Sequence, residues 1–168
     1  MQVQNHRGHV EPADGVFGCP MRRRDDVYLS SLMDSYGTHG GLSSHDEVVG
    51  AMRSYWRQPV SILARWIVDR RIVSFVWKSQ ILLPLFQFAR PRMAPHQGVV
   101  DACTELNDVM DDEGLAGWFI QPNACLESAA PADRAVAEPE AVIEAARRAR
   151  LDLVSRRRVI HAVDSAYA

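Results

Sequence analysis

The apolar residues that follow residue 43 recur with the spacing of a helix. Ser44 is followed three residues later by Glu47, a pair that forms a capping box at a helix N-terminus. The next apolar residues fall at i, i+1, i+4, i+7 and i+8: Val48, Val49, Met52, Tyr55 and Trp56. Such positions form one stripe on a helix, so the pattern predicts a helix that begins after Ser44 and buries one side.

A second helix is predicted to begin at Pro59, because proline suits the first turn of a helix. The apolar residues Ile62, Leu63, Trp66 and Ile67 then repeat the spacing of the first helix. Two short helices joined by the tight "RQP" connection are typical of a helix-turn-helix unit. Pairs of this kind also occur in many small α domains, so both interpretations stay open.

Between residues 72 and 88 the period changes from that of a helix to that of a strand. In "IVSFVWKSQILLPLFQF" the side chains alternate on either side of a polar "KSQ" break, which predicts a β-hairpin. The break lacks the Gly or Asn that a tight hairpin turn prefers. Pro84 cannot donate a backbone hydrogen bond, so we expect the second strand to be short or to lie at an edge.

Both faces of this hairpin are apolar, so each must be covered by the domain's own helices or by another chain. Lys78, Gln80, Pro84 and Gln87 interrupt the stretch. Its uninterrupted apolar runs are therefore too short to span a bilayer, and we expect no membrane partner.

Three further helices are predicted beyond the hairpin. The third carries Val99, Val100, Cys103, Leu106 and Met110 and has an acidic outer face. The fourth is short and stops near Pro122, and the last begins at Pro139 and continues to Leu153. The fold class is thus mainly α, with about five helices, a helix-turn-helix-like N-terminal pair and one β-hairpin.

These elements suggest four regions. Residues 1–42 are rich in Gly, His, Asp and Arg and are expected to be a mobile N-terminal arm with at most one short helix. Residues 43–92 hold the helix-turn-helix-like unit and the hairpin, and residues 93–155 hold the other helices. Residues 156–168 are expected to be a frayed tail.

Charge is segregated along the chain, although the net charge is only -2. Residues 53–92 contain one acid, Asp69, and the following basic residues: Arg53, Arg57, Arg65, Arg70, Arg71, Lys78, Arg90 and Arg92. A second basic run contains Arg147, Arg148, Arg150, Arg156, Arg157 and Arg158, and the acidic third helix lies between the two runs. The segregation is compatible with ion pairs inside the molecule or with a basic face that contacts phosphate.

Candidate chemistry is sparse. The three cysteines have no metal-binding or disulfide spacing, which favours a reduced, cytoplasmic setting. The sequence has no phosphate-binding loop, no HExxH and no GxSxG motif. No nucleophile, base and stabiliser come together, so we expect no enzyme activity, no cofactor and no metal site.

Three stretches resemble the toxin-binding antitoxin family called Xre/MbcA/ParS, over residues 41–151. They are "GGLSSHDEV" leading into the hairpin, "LAGWFIQPNACL" followed by "AAPAD", and "AVIEAARRARLDL". The middle stretch carries the pattern most typical of the family: Trp118, Phe119, Pro122, Asn123, Leu126 and Pro131. Family members usually have Gly after the Leu of this pattern, where this chain has Glu127.

The resemblance implies an antitoxin that neutralises a cognate protein toxin, of the RES type that consumes NAD, by docking over its active site. Residues 93–155 would be the toxin-binding region, and Trp118, Phe119, Pro122, Asn123, Leu126 and Pro131 would shape the toxin-facing element. We expect an oligomer, formed either by this chain alone or with the toxin.

Each of these residues also has a purely structural interpretation. Trp118 and Phe119 have the spacing of core residues, and Asn123 is suited to cap a helix C-terminus. An alternative function is a DNA-binding transcriptional regulator that represses its own operon. Its operator DNA would be contacted through phosphates by Arg57, Arg65, Arg70 and Arg71.

Overall fold

The computed structural model describes the backbone of residues 20–166 and the side chains of residues 27–158. Within this range the helices are α1 Pro20–Thr38, α2 His45–Met52, α3 Pro59–Val68, α4 Gln97–Leu106, α5 Asp112–Ile120, α6 Pro131–Arg134 and α7 Pro139–Ala166. The strands are β1 Leu42–Ser44, β2 Phe75–Trp77, β3 Gln80–Pro84, β4 Phe88–Ala89 and β5 Ala94–Pro95. Short 3-10 helices span Leu85–Gln87 and Ala124–Leu126. The protein is mainly helical with small antiparallel sheets, so the predicted class is right but about five helices is too few.

The start of α2 has the predicted capping box. The Ser44 hydroxyl accepts a hydrogen bond from the Glu47 backbone N–H, and the Glu47 carboxylate accepts one from the Ser44 backbone N–H at 2.8 Å. These bonds, with others from the hydroxyls of Ser43 and Ser44, lower the pKa of Glu47. The predicted proline is the first residue of α3.

The predicted hairpin is formed by β2 and β3, with Trp77 opposite Gln80. Its two-residue turn has positive φ angles at Lys78 (45°) and Ser79 (65°). That is the left-handed backbone that a primed turn needs and that Gly or Asn adopts more easily. The turn therefore forms despite its unfavourable side chains.

A third strand was not predicted from the sequence. β1 pairs with β3 on the side away from β2, and Leu42 lies opposite Pro84. β3 is therefore the central strand, and the expectation that it lies at an edge is wrong. It is only five residues long, and Pro84 is its last residue, where a missing N–H disturbs the ladder least.

Successive residues of β3 point to opposite faces of the sheet, and helices of the same chain cover both faces. Leu82 packs in a core cluster with residues of α1, α4, α5 and α7. Leu83 packs in a second cluster with residues of α2 and α3. The outer pair, Val76 opposite Ile81, stays exposed.

The region predicted to be an arm contains a structural helix. Leu29, Leu32 and Tyr36 of α1 are buried in the first core cluster. The Tyr36 hydroxyl donates to the Ala116 carbonyl at 2.7 Å, and burial raises the pKa of Tyr36. Residues 20–42 therefore belong to the folded domain, while residues 1–19 lie outside the described range. The apolar residues of α1 were too widely spaced in a polar sequence to be recognised as a core face.

The last helix is longer than predicted. α7 continues as far as Ala166, beyond the expected end of regular structure at residue 155. Leu153 and Val154 pack against the first core cluster, which extends the helix past the last strongly periodic residues. α7 thus runs through most of the region that was expected to be a frayed tail.

A buried glutamine joins the hairpin to the segment that follows it. Gln87 is fully buried, its side-chain oxygen accepts from the Val73 N–H at 2.7 Å, and its side-chain nitrogen donates to the Val73 carbonyl at 2.9 Å. The amide thus takes the place of a neighbouring strand for one residue. Both backbone groups of Val73 would otherwise be buried without partners.

Candidate protein-binding site

The aromatic pair at the end of α5 is divided between the core and the surface. Phe119 is fully buried and lies 5.3 Å from Phe86, ring centroid to ring centroid. Trp118 is half-buried and packs edge-on against Phe119 at 4.9 Å. Of the two predicted contact residues, Phe119 is a core residue and only Trp118 has a side chain within reach of a partner.

Residues 122–131, the Pro-Asn loop, are organised by Asn123. Its side-chain oxygen accepts from the Cys125 N–H at 2.9 Å, and its backbone N–H donates to the Ala129 carbonyl at 3.1 Å. Its carbonyl accepts from the N–H groups of Leu126 and Ser128 at 3.0 and 2.9 Å. Asn123 thus caps the N-terminus of the 3-10 turn inside the loop, and not the C-terminus of α5 as expected.

The two apolar residues predicted to shape this loop anchor it from inside. Leu126 is 5% exposed and Pro131 is buried at the start of α6. Pro131 is withdrawn from any partner, and Leu126 reaches the surface only where it lines the shallow pocket beside the loop. Together with Asn123 they hold the loop in one conformation.

The exposed surface of the loop is formed mainly by residues that sequence reasoning missed. Pro122, Cys125, Glu127 and Ser128 are exposed, and of these only Pro122 was predicted. Glu127 and Ser128 both have positive φ, 55° and 67°. Glu127 occupies the position where the resembling family usually has Gly, and that substitution was the available signal of a left-handed residue.

A shallow pocket of about 250 Å³ separates the loop from α6 and α7. Cys125, Glu127 and Arg134 line it, and Arg134 is hydrogen-bonded to Glu138. On α7, Arg148 donates to the Cys125 sulfur at 3.8 Å, and this bond is the largest of the effects that raise the pKa of Arg148. The loop is therefore held against α7 by polar contacts as well as by its apolar anchors.

Helix α1 extends the same surface on the other side of Pro122. A groove of about 270 Å³ is lined by Tyr28, Ser31 and Ser35 of α1, and by Gln121 and Pro122. Burial, with the nearby carboxylates of Glu113 and Asp111, raises the pKa of Tyr28. The candidate site therefore includes part of a region that the sequence analysis treated as an arm.

Among the four predicted phosphate contacts, Arg70 is engaged inside the protein. It follows the C-cap of α3 with a φ of 50°, and the backbone bonds from Arg70 to Ile67 and from Arg71 to Trp66 form a Schellman motif. Glycine is the usual residue at that position. Arg70 is therefore held in a strained conformation.

The side chain of Arg70 crosses to the other half of the molecule. It donates to the Asn107 carbonyl, to the Met110 carbonyl at 2.9 Å and to the Asp112 carboxylate at 2.9 Å. These groups lie where α4 ends and α5 begins, so Arg70 satisfies the free carbonyls of a helix C-terminus. Arg70 has no free N–H fork to offer to phosphate.

The other three predicted phosphate contacts, Arg57, Arg65 and Arg71, are exposed. Among the described side chains, none of the three forms an ion pair. The same holds for Arg53, Lys78, Arg90 and Arg92, which are also exposed.

The first half of the second basic run behaves differently, because α7 packs on the acidic helix α4. Arg147 pairs with Glu105 at 3.0 Å, and Arg150 pairs with Asp108 at 2.6 Å. Arg157 donates to the Val109 carbonyl at 2.9 Å. The acidic outer face predicted for the third helix is therefore partly the partner of α7.

No protein-family model, curated protein or solved structure matches this chain. In the described part of the chain, no helix is both long enough and apolar enough to cross a membrane. Nor does any group of three or more His, Cys, Asp or Glu side chains within that part form a possible metal site.

Proposed function

We propose that this protein is an antitoxin-type binding protein that neutralises a cognate toxin by covering its active site. The observation that carries the proposal is the state of the Pro-Asn loop. Four hydrogen bonds centred on Asn123 fix a surface loop that would otherwise be free to move. Ordering a loop in advance removes part of the entropy cost of binding, which is an advantage for a protein whose activity is to dock.

The docking surface in this proposal involves three elements: α1, the Pro-Asn loop and α7. Pro122 stands at its centre, Tyr28 of α1 lies on one side, and Cys125 and Glu127 lie on the other, next to α7. Trp118 precedes Pro122 by four residues, is half-buried and packs edge-on against Phe119. The resemblance to the Xre/MbcA/ParS family supplies the kind of partner, a toxin that consumes NAD.

Co-expression with the product of the neighbouring gene tests the proposal. We expect the two proteins to co-purify and growth to be rescued when both are made. Asn123→Ala should weaken both effects, because it frees the Cys125 N–H and loosens the loop. Val136→Ala, which alters an exposed valine in the turn after α6, is the matched control and should change neither. Failure to rescue and failure to co-purify would refute the proposal.

A second candidate function, regulation of an operon by DNA binding, is favoured by the exposed arginines without ion pairs near α3. Arg57, Arg65 and Arg71 are free to contact phosphates. This function predicts a shift of the protein's own promoter DNA at low salt that weakens on Arg65→Ala. Arg70→Ala does not test it, because Arg70 is a structural residue here.

A further inference from the structure

Helix α3 has an apolar row on the side that faces away from the core. Val60, Ala64 and Val68 follow one another at intervals of four residues, so they lie on one face. Val60 is 54% exposed, Val68 is 80% exposed, and Ala64 is also exposed. Leu63 and Trp66 are buried in the second core cluster, so α3 is apolar on both its inner and outer sides.

A contiguous row of exposed apolar side chains is typical of an interaction site, whereas single exposed apolar residues are normal on a protein surface. The outer row of α3 therefore indicates a partner.

The charges around the row are nearly all positive. Arg65 lies in the next row of α3, Arg57 precedes the helix and Arg71 follows it. All three are exposed, and within residues 27–158 none has a carboxylate partner. Asp69 is the one acid of residues 53–92. A protein surface that covers the row would gain most from carboxylates at its edge.

The same charges disfavour a second copy of this chain as the partner. A two-fold interface places each patch against itself. If two α3 helices packed in opposite directions about Ala64, Arg57 of one copy would meet Arg71 of the other. If they packed in the same direction, Arg65 would meet Arg65. Either arrangement brings like charges together.

The apolar row also favours a protein over DNA. Base edges are read mainly by hydrogen-bonding side chains. Among the exposed residues of α3 only Ser61 and Arg65 can form such bonds, while Val60 and Val68 protrude. A row of aliphatic side chains four residues apart matches the apolar stripe of an amphipathic helix.

We infer that the outer face of α3 is a docking surface for an acidic amphipathic helix of another protein. Val60, Ala64 and Val68 form its apolar centre, and Arg57, Arg65 and Arg71 form its basic rim. This surface is separate in sequence from the Pro-Asn loop, and the inference does not depend on a toxin binding there.

Fluorescence polarisation with the full chain tests the inference. The probe is a labelled peptide of roughly five helical turns with leucines along one face and glutamates on both flanks. One control peptide replaces the glutamates with lysine, and another has the same composition in scrambled order. The protein variants are Val60→Ser, Val68→Ser and Arg65→Ala, with Val136→Ser as the control, since Val136 is 56% exposed elsewhere on the surface.

We expect the acidic peptide to bind and both control peptides to bind at least about tenfold more weakly. Val60→Ser and Val68→Ser should each weaken binding about tenfold, and Val136→Ser should not. The inference is overturned if the acidic peptide does not bind, if the scrambled peptide binds equally, or if Val136→Ser has the same effect as Val68→Ser. It is also overturned if Val68→Ser weakens binding of duplex DNA, or breaks a dimer of this chain, while leaving peptide binding unchanged.

Discussion

The basic residues of α7 and those of residues 53–92 are similar in sequence but differ in their surroundings. On α7, Arg147 and Arg150 are three residues apart, and they pair with Glu105 of α4 and with Asp108 in the turn just after α4, which are also three residues apart. Around α3, Arg57, Arg65 and Arg71 are exposed, and no carboxylate of the described residues pairs with them. A basic run alone therefore does not indicate a nucleic-acid surface. Whether such arginines are free to bind a partner depends on whether a neighbouring element places carboxylates opposite them.

Arg70 differs from the other basic residues near α3, and its substitution should have the largest effect on stability. It belongs to the basic residues near α3 by sequence, but it is bonded to α4 and α5. We expect Arg70→Ala to lower the free energy of unfolding by about 2 kcal/mol, because two part-buried carbonyls lose a charged donor. Urea denaturation measures this.

Arg70→Gly is the matched variant. Because glycine adopts positive φ without strain, it should cost about 1 kcal/mol less than alanine. Arg65→Ala should change stability by less than about 0.5 kcal/mol. If Arg65→Ala is as destabilising as Arg70→Ala, the division between engaged and available arginines is wrong.

The α4–α7 pairs should have a smaller effect. Removing both Arg147 and Arg150 by alanine substitution should destabilise the protein by about 1 kcal/mol, since the ion pairs are partly exposed. The loss should shrink in 1 M salt, where such pairs are screened. Thermal unfolding at low and high salt checks this, and a loss that does not depend on salt would show that packing and not charge is responsible.

The arginines near α3 should matter for anion binding and not for stability. The triple variant Arg57→Ala, Arg65→Ala, Arg71→Ala should stay within about 0.5 kcal/mol of the parent in stability. It should elute from a cation exchanger at clearly lower salt than the triple variant Arg147→Ala, Arg148→Ala, Arg150→Ala, which loses the same number of positive charges from ion-paired arginines. Elution of both variants at the same salt would contradict the comparison.

The smallest expected effect concerns Glu47, whose carboxylate accepts a backbone hydrogen bond and has no arginine partner among the described residues. Hydrogen bonds from the Ser44 N–H and neighbouring hydroxyls lower the pKa of Glu47. A lowered folded pKa means that this carboxylate stabilises the fold at neutral pH, and that the stabilisation is lost as the pH falls through the folded pKa. The difference in unfolding free energy between the parent and Glu47→Gln should therefore narrow between pH 7 and pH 3. If this difference in unfolding free energy does not change with pH, the charge of the Glu47 carboxylate does not stabilise the fold.

Local patterns were sufficient to predict much of this fold. The capping box at Ser44, the proline at the start of α3 and the change to strand period at residue 72 each depend on neighbouring residues, and each has the predicted form. The third strand depends on pairing between Leu42 and Pro84, far apart in sequence, and three residues give no periodic signal. At most one short helix was predicted in the first 42 residues, and the length and burial of α1 were missed for a related reason, because its three buried residues contact a distant part of the chain.

The structured loop at residues 122–131 was predicted in position but not in detail. The pattern around Asn123 correctly located a structured loop, yet three of its six residues, Phe119, Leu126 and Pro131, are buried. A recurrent pattern marks residues that shape a loop as readily as residues that touch a partner. The exposed positions, Cys125, Glu127 and Ser128, lie between the anchors and carry no such pattern.

Inhibition of NAD consumption by the neighbouring gene's product is the most direct test of the proposed function. The measurement titrates that enzyme with the parent protein, with Asn123→Ala and with the Arg57→Ala, Arg65→Ala, Arg71→Ala variant. The account predicts that the parent and the triple variant inhibit equally, and that Asn123→Ala requires at least about tenfold more protein. No inhibition by the parent, or a loss of inhibition in the triple variant but not in Asn123→Ala, would contradict the account.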